Sequence, residues 1–160
     1  MDADVETLSQ EPELPGQFVE LTVGQIVPDF TLGLVGGIKT SLSSLAKDSP
    51  VLLNFIKGTW CPFCQAHMRN LQKWRQSVKH SHVNVIVVTN ETEQKVKAWL
   101  KENHSDIAFA TVSDPKTFEK WGVDLAEHEF PRPATFLVSA GLKLEFAHYG
   151  NRARVLNQIP

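Results

Sequence analysis

Apolar and polar positions alternate between two periods along this chain. Val51-Leu52-Leu53-Asn54-Phe55-Ile56 and Val83 to Val88 are near-continuous apolar runs. Such runs are typical of parallel strands covered on both faces. Between them, Met68, Leu71, Trp74, Arg75 and Val78 recur at i, i+3, i+4. That spacing predicts a helix from just after Cys61 to about Val78, with the Arg75 stem bordering the core. Thr92 can cap a second helix running through Glu102, with Val96, Trp99 and Leu100 facing inward.

Shorter elements fill the remainder. Val23 to Leu32 holds a turn and then a short strand, and Gly36-Gly37 signals a hairpin turn. Ser41 to Leu45 resembles a capped helical turn that Asp48-Ser49-Pro50 breaks. Ile107 to Val112 reads as a strand. Asp114-Pro115 opens a helix that Gly122 ends after Trp121. Ala134 to Val138 and Leu144 to Tyr149 form a closing hairpin about Gly141, and a last helix begins near Asn151. Strands alternating with helices predict an α/β sandwich, and the closing hairpin makes its sheet mixed. Residues 1–16 are acidic and polar and read as a flexible N-terminal arm, leaving 17–160 as one domain.

Composition narrows the class. Of 160 residues, 42% are apolar and 21% charged, with net charge −2. These values suit a globular domain with its own core and give no reason to expect a nucleic-acid partner. No apolar run is long enough to span a bilayer, and the acidic N-terminus lacks a signal-peptide core. The expected location is cytoplasmic, or periplasmic if a leader has been removed.

Chemistry concentrates in Trp60-Cys61-Pro62-Phe63-Cys64, which holds both cysteines of the chain. A C-x-x-C between a strand and a helix is the sequence form of a thioredoxin-like redox site. Pro62 suits a first helical position. Cys61 then lies at the helix N-terminus, where unpaired N–H groups and the dipole favour a thiolate. Cys61 is therefore the expected attacking thiol, the more exposed of the two, and Cys64 the resolving one. Lys57 and Arg132 are candidate cations for a thiolate, against a plain surface role. Trp60 and Phe63 are candidate partner contacts, against core filling for Trp60 and a cover over Cys64 for Phe63. A structural zinc site lacks its fourth ligand even when His67 is counted, so no metal or other cofactor is expected.

Several motifs in order resemble the alkyl hydroperoxide reductase/thiol-specific antioxidant (AhpC/TSA) branch of the thioredoxin superfamily. Val23-Gly24 through Pro28-Asp29-Phe30 resembles its G-x-x-x-P-D-F segment. Phe55 to Cys64 is similar to the F-Y-R-G-G-W-C-P-Y-C of peroxiredoxin-like members and to the W-C-P-x-C of TlpA-like oxidoreductases. Ser113-Asp114-Pro115 and Trp121-Gly122-Val123 match further landmarks. Arg132-Pro133-Ala134 to Val138 looks like the segment that carries a cis proline against the disulfide. The resemblance implies a thioredoxin-like fold and a cis Pro133 that helps align an extended substrate. Two departures stand out. The buried Asp of thioredoxin has Asn54 as its nearest counterpart, one position away, and Asn is no general base. The peroxiredoxin P-x-x-x-T/S-x-x-C fails in both registers; Thr59 offers a hydroxyl only from another geometry.

The expected activity is thiol–disulfide exchange with a protein or small disulfide, recharged by a thiol reductant, with no nucleic-acid or membrane partner. A thiol peroxidase with Cys61 peroxidatic is the alternative, acting on a hydroperoxide. A redox-sensing or binding module without enzymatic activity is the third.

Overall fold

A computed structural model describes residues 20–77, 82–123, 125 and 130–150. The expected arm over 1–16 and the last helix from Asn151 lie outside the described residues.

The strands are β1 (Thr31–Leu34), β2 (Lys39–Ser41), β3 (Val51–Phe55), β4 (Asn84–Thr89), β5 (Ala108–Thr111), β6 (Ala134–Ser139) and β7 (Lys143–Tyr149). The helices are α1 (Leu42–Asp48), α2 (Pro62–Ser77), α3 (Glu93–Glu102) and α4 (Pro115–Lys120). One seven-stranded sheet runs in the order β2-β1-β5-β4-β3-β6-β7. β3 and β4 are parallel neighbours, with Leu53 opposite Ile86, as the two apolar runs joined by a long helix predict. β4 and β5 are also parallel, whereas the β1, β2, β6 and β7 pairings are antiparallel. This is the thioredoxin-like α/β sandwich with a mixed sheet.

Local chemistry sets the element ends. Ser41 caps α1, Thr92 caps α3 and Asp114 caps α4, each side-chain oxygen accepting a backbone N–H of the first turn. The Gly36 turn has φ +76°, a conformation that glycine adopts without strain. Ala140–Leu142 form a single 3-10 turn that closes the last hairpin.

All five residues of β3 are buried, and alternation divides them between two cores. Val51, Leu53 and Phe55 face α1 and α4. Leu52 and Ile56 face α2 and α3, in the cluster that also holds Cys61, Cys64, Met68 and Leu71. On the first face Phe55 meets Phe118, Trp121 and Phe136 at ring separations of 5.9, 5.9 and 5.7 Å. Phe55→Ala would leave a cavity bounded by three aromatic rings. Urea unfolding is expected to show a loss of about 3–5 kcal/mol. A loss below about 1 kcal/mol, the range of surface substitutions, would contradict this packing.

Candidate active site

Both cysteines stand where β3 hands the chain to α2. The Cys61 carbonyl accepts the Gln65 N–H at 2.9 Å, so Cys61 is the helix N-cap and Pro62 the first helical residue. Cys64 lies one turn on. Both are free thiols and both are buried, Cys61 at 4% exposure and Cys64 at 0%. The expected order of exposure holds, but Cys61 is far more enclosed than a surface thiol. It packs in the apolar cluster beneath α2. The exposed groups are its neighbours Trp60, Pro62 and Phe63.

Burial pushes the Cys64 thiol up to about 12. A hydrogen bond to Cys61 and negative charge on Cys61 act in the same direction. Backbone N–H groups of Gly58 and Lys57 bond the Cys64 sulfur and pull the other way. Cys64 therefore stays a thiol and donates to its neighbour.

The loop 57–60 is tightly built. A Cβ on Gly58 would come within 2.1 Å of the Trp60 indole, so glycine is what lets Trp60 fold across the loop. Trp60 meets Phe130 edge to face at 5.6 Å, and the Lys57 ammonium stands 5.5 Å from the same ring. Lys57 thus directs its cation to an aromatic face, and it is its backbone that reaches Cys64. Thr59 is buried, and its hydroxyl donates to Glu91 at 2.9 Å. The expected hydroxyl beside Cys61 is thereby committed elsewhere.

The proline segment departs from expectation. The Arg132–Pro133 bond is trans, since no described peptide bond is cis. The chain enters β6 already extended, with Arg132 N–H on the Val123 carbonyl and Gly150 N–H on the Pro133 carbonyl. Trans is the default state of an X–Pro bond, and nothing in this run requires otherwise. Its placement fits better. Phe55 pairs with Ala134, so Pro133 falls beside Ile56, and alternation puts it on the α2 face.

Arg132 points the opposite way. Its guanidinium pairs with Glu20 at 2.8 Å, donates to Gly150 O at 2.6 Å and stacks on Tyr149. These partners occupy it at the N-terminal end of the described fold, which removes it as a cation for Cys61.

Sequence reasoning missed two polar contributions. Glu91, beyond the end of β4, anchors Thr59. Beneath α2, Asn54 Oδ1 accepts the Thr135 hydroxyl at 3.1 Å and stands 3.3 Å from His67 Nε2. With Oδ1 as acceptor the proton is assigned to Nε2, leaving His67 Nδ1 buried and without a partner. The i, i+3 spacing of Cys64 and His67 was the available signal, since it puts both on one helix face. Among the described residues no group of His, Cys, Asp and Glu could hold a metal ion.

Burial lowers His67 to about 4 from an ordinary value near 6.5. The unfolded chain takes up this proton near pH 6.5, while the folded chain resists until about pH 4. The His67 contribution is complete above pH 6.5 and shrinks as pH falls toward 4, by about 3 kcal/mol in all. Urea unfolding at neutral pH and near pH 4 should show this slope in wild type and lose it in His67→Gln. An unchanged slope in the variant would refute the assignment.

The AhpC/TSA family model matches residues 23–147, which includes the loop, both cysteines, β6 and most of β7. The thiol:disulfide interchange protein DsbE of Vibrio cholerae is 30% identical over 141 residues, covering 86% of this chain and 70% of that protein. The thioredoxin-like protein YneN of Bacillus subtilis is 28% identical over 139 residues, covering 85% and 76%. A solved thiol peroxidase from Chromobacterium violaceum superposes with a TM-score of 0.72 at 16% identity, over 83% of this chain and 79% of that one. That last likeness extends to the fold alone. With the matched segment spanning most of the chain and both sulfurs at the β3–α2 junction, this protein belongs to the AhpC/TSA family of the thioredoxin superfamily.

Proposed function

We propose that this protein is a thiol–disulfide oxidoreductase in which Cys61 attacks a substrate disulfide and Cys64 resolves the mixed disulfide. Family membership supports the coarser statement, a thiol–disulfide oxidoreductase or peroxiredoxin-like activity with thiol or peroxide substrates and a reductant. The observation that carries the finer reading is the asymmetry of the two sulfurs. Cys61 caps the helix, and Cys64 is held as a thiol that donates to it. Attack by Cys61 joins it to one substrate sulfur and expels the other. Cys64 then loses its proton, bonds the Cys61 sulfur and releases the substrate as a second thiolate. An external thiol reductant must return the two electrons.

Two commitments of side chains weigh against the peroxidase reading. The Thr59 hydroxyl is given to Glu91, and the Arg132 guanidinium to Glu20, Gly150 and Tyr149. Neither is free to polarise a peroxide at Cys61. The DsbE relative, whose name is that of a thiol:disulfide interchange protein, favours exchange as well. Exposed Trp60 and Phe63, at 56% and 58%, supply the apolar surface for a partner chain.

Iodoacetamide at neutral pH should label Cys61 and spare Cys64. Cys64→Ser should accumulate mixed disulfides through Cys61, whereas Cys61→Ser should trap few. Preferential labelling of Cys64 would reverse the roles. A fast second-order reaction of the reduced protein with hydrogen peroxide, abolished in Cys61→Ser, would replace this reading with the peroxidase one.

A further inference from the structure

The loop ahead of Cys61 is held by a strand that carries neither sulfur. Two residues past the end of β4, the Glu91 carboxylate turns back onto Thr59. One oxygen accepts the Thr59 backbone N–H at 2.9 Å and the other its hydroxyl at 2.9 Å. Fully buried Thr89 orients this carboxylate, donating its hydroxyl at 2.9 Å while accepting the Glu91 N–H at 3.2 Å. From the opposite side Gln65 Nε2 donates to the Thr59 carbonyl at 2.7 Å. Every polar group of Thr59 is thereby engaged, and hydrogen bonds to a carboxylate are the strongest of the set.

The same loop supplies backbone to both sulfur-bearing residues. Gly58 O accepts the Cys61 N–H at 3.3 Å. The N–H groups of Lys57 and Gly58 bond the Cys64 sulfur.

We propose that Glu91 is a positioning residue for the resolving step: by clamping Thr59 it holds the Lys57 and Gly58 amides against Cys64, where they stabilise its thiolate. This rests on the reading of Cys64 as the resolving thiol. In the step, the Cys64 proton passes to solvent. The Cys64 sulfur bonds Cys61, the bond from Cys61 to the substrate sulfur breaks, and that sulfur leaves with the electron pair. The dithiol has then delivered two electrons to the substrate disulfide. The amides take no proton; preorganised N–H groups lower the cost of the buried anion.

The titratable groups around Cys64 are Cys61 at the N-cap of α2 and His67 within it, while the Lys57 side chain of the loop is turned onto Phe130. The strands beneath contribute Asn54 and apolar side chains. Lys95 of α3 shares a groove with Glu91, Lys57 and Trp60. Replacing Glu91 removes a negative charge from that groove, which by itself would favour a nearby thiolate, so a raised pH midpoint is opposite in sign to the charge effect.

Ellman's reagent isolates the step. Attack by Cys61 releases one aryl thiolate and leaves a mixed disulfide, and closure by Cys64 releases the second. Stopped-flow absorbance across a pH series reads both phases. For Glu91→Ala the closing rate at neutral pH should fall about tenfold and its pH midpoint should rise by about one unit, the shift that cuts the thiolate fraction tenfold. Glu91→Gln, which keeps the shape of the side chain, and Thr59→Val should fall in between. The double variant Glu91→Ala/Thr59→Val should close no slower than Glu91→Ala, because both act through one contact. Wild-type closing in the Glu91 variants, or slower closing with an unmoved pH midpoint, would overturn the proposal. Glu91→Gln carries the test if Glu91→Ala does not fold. A wild type that stops after one thiolate would overturn the disulfide-exchange reading and this inference with it.

Discussion

Strand β3 has no freedom left, and the site depends on that. It is buried on both faces and hydrogen-bonded along both edges, parallel to β4 and antiparallel to β6. Sliding it by one residue would send Leu52 and Asn54 into the aromatic core and Phe55 under α2. Its end is therefore fixed, and with it the loop that must reach the start of α2. The sulfurs inherit their position from a strand that does no chemistry.

The same strand carries one polar residue into the interior. Asn54 is fully buried, yet it donates to Leu52 O at 3.2 Å and accepts the Thr135 hydroxyl. A buried amide without such partners would cost several kcal/mol, on the order of 2–7. Here it ties β3 to β6 and to α2 through His67. The helix that bears the cysteines is thus seated on the sheet by polar as well as apolar contacts. His67 accepts this seat as a neutral ring, because burial disfavours its charged form.

Around the thiols the structure spends its charges and hydroxyls on architecture. Lys57 stands over Phe130, Thr59 binds Glu91, and Arg132 bridges Glu20 to the end of β7. What remains close to sulfur is backbone: the helix N-terminus at Cys61 and the amides of Lys57 and Gly58 at Cys64. Backbone donors do not titrate and are fixed by the fold, so the loop's anchoring decides how well they are aimed. Glu91, just past the end of β4, supplies part of that anchoring through Thr59.

Much of this was legible in the residues alone. The apolar runs at 51–56 and 83–88 read as two buried strands, because short apolar stretches of this kind are typical of strands covered on both faces. The C-x-x-C determined a sulfur pair one helical turn apart, and Pro62 determined where that helix begins. The caps at Ser41, Thr92 and Asp114 were equally local, since a cap needs only its own first turn. The partners of Lys57, Thr59 and Arg132 were decided by tertiary structure. Each meets a residue more than fifteen positions away, and sequence distance carries no information on which face or edge brings them together. The trans state of Pro133 belongs with these, because both isomers of an X–Pro bond are open to the sequence and only the folded chain shows which one is present. Glu91 is the clearest case. It is an ordinary acidic residue after a strand until the sheet places it against the loop that leads into the cysteines.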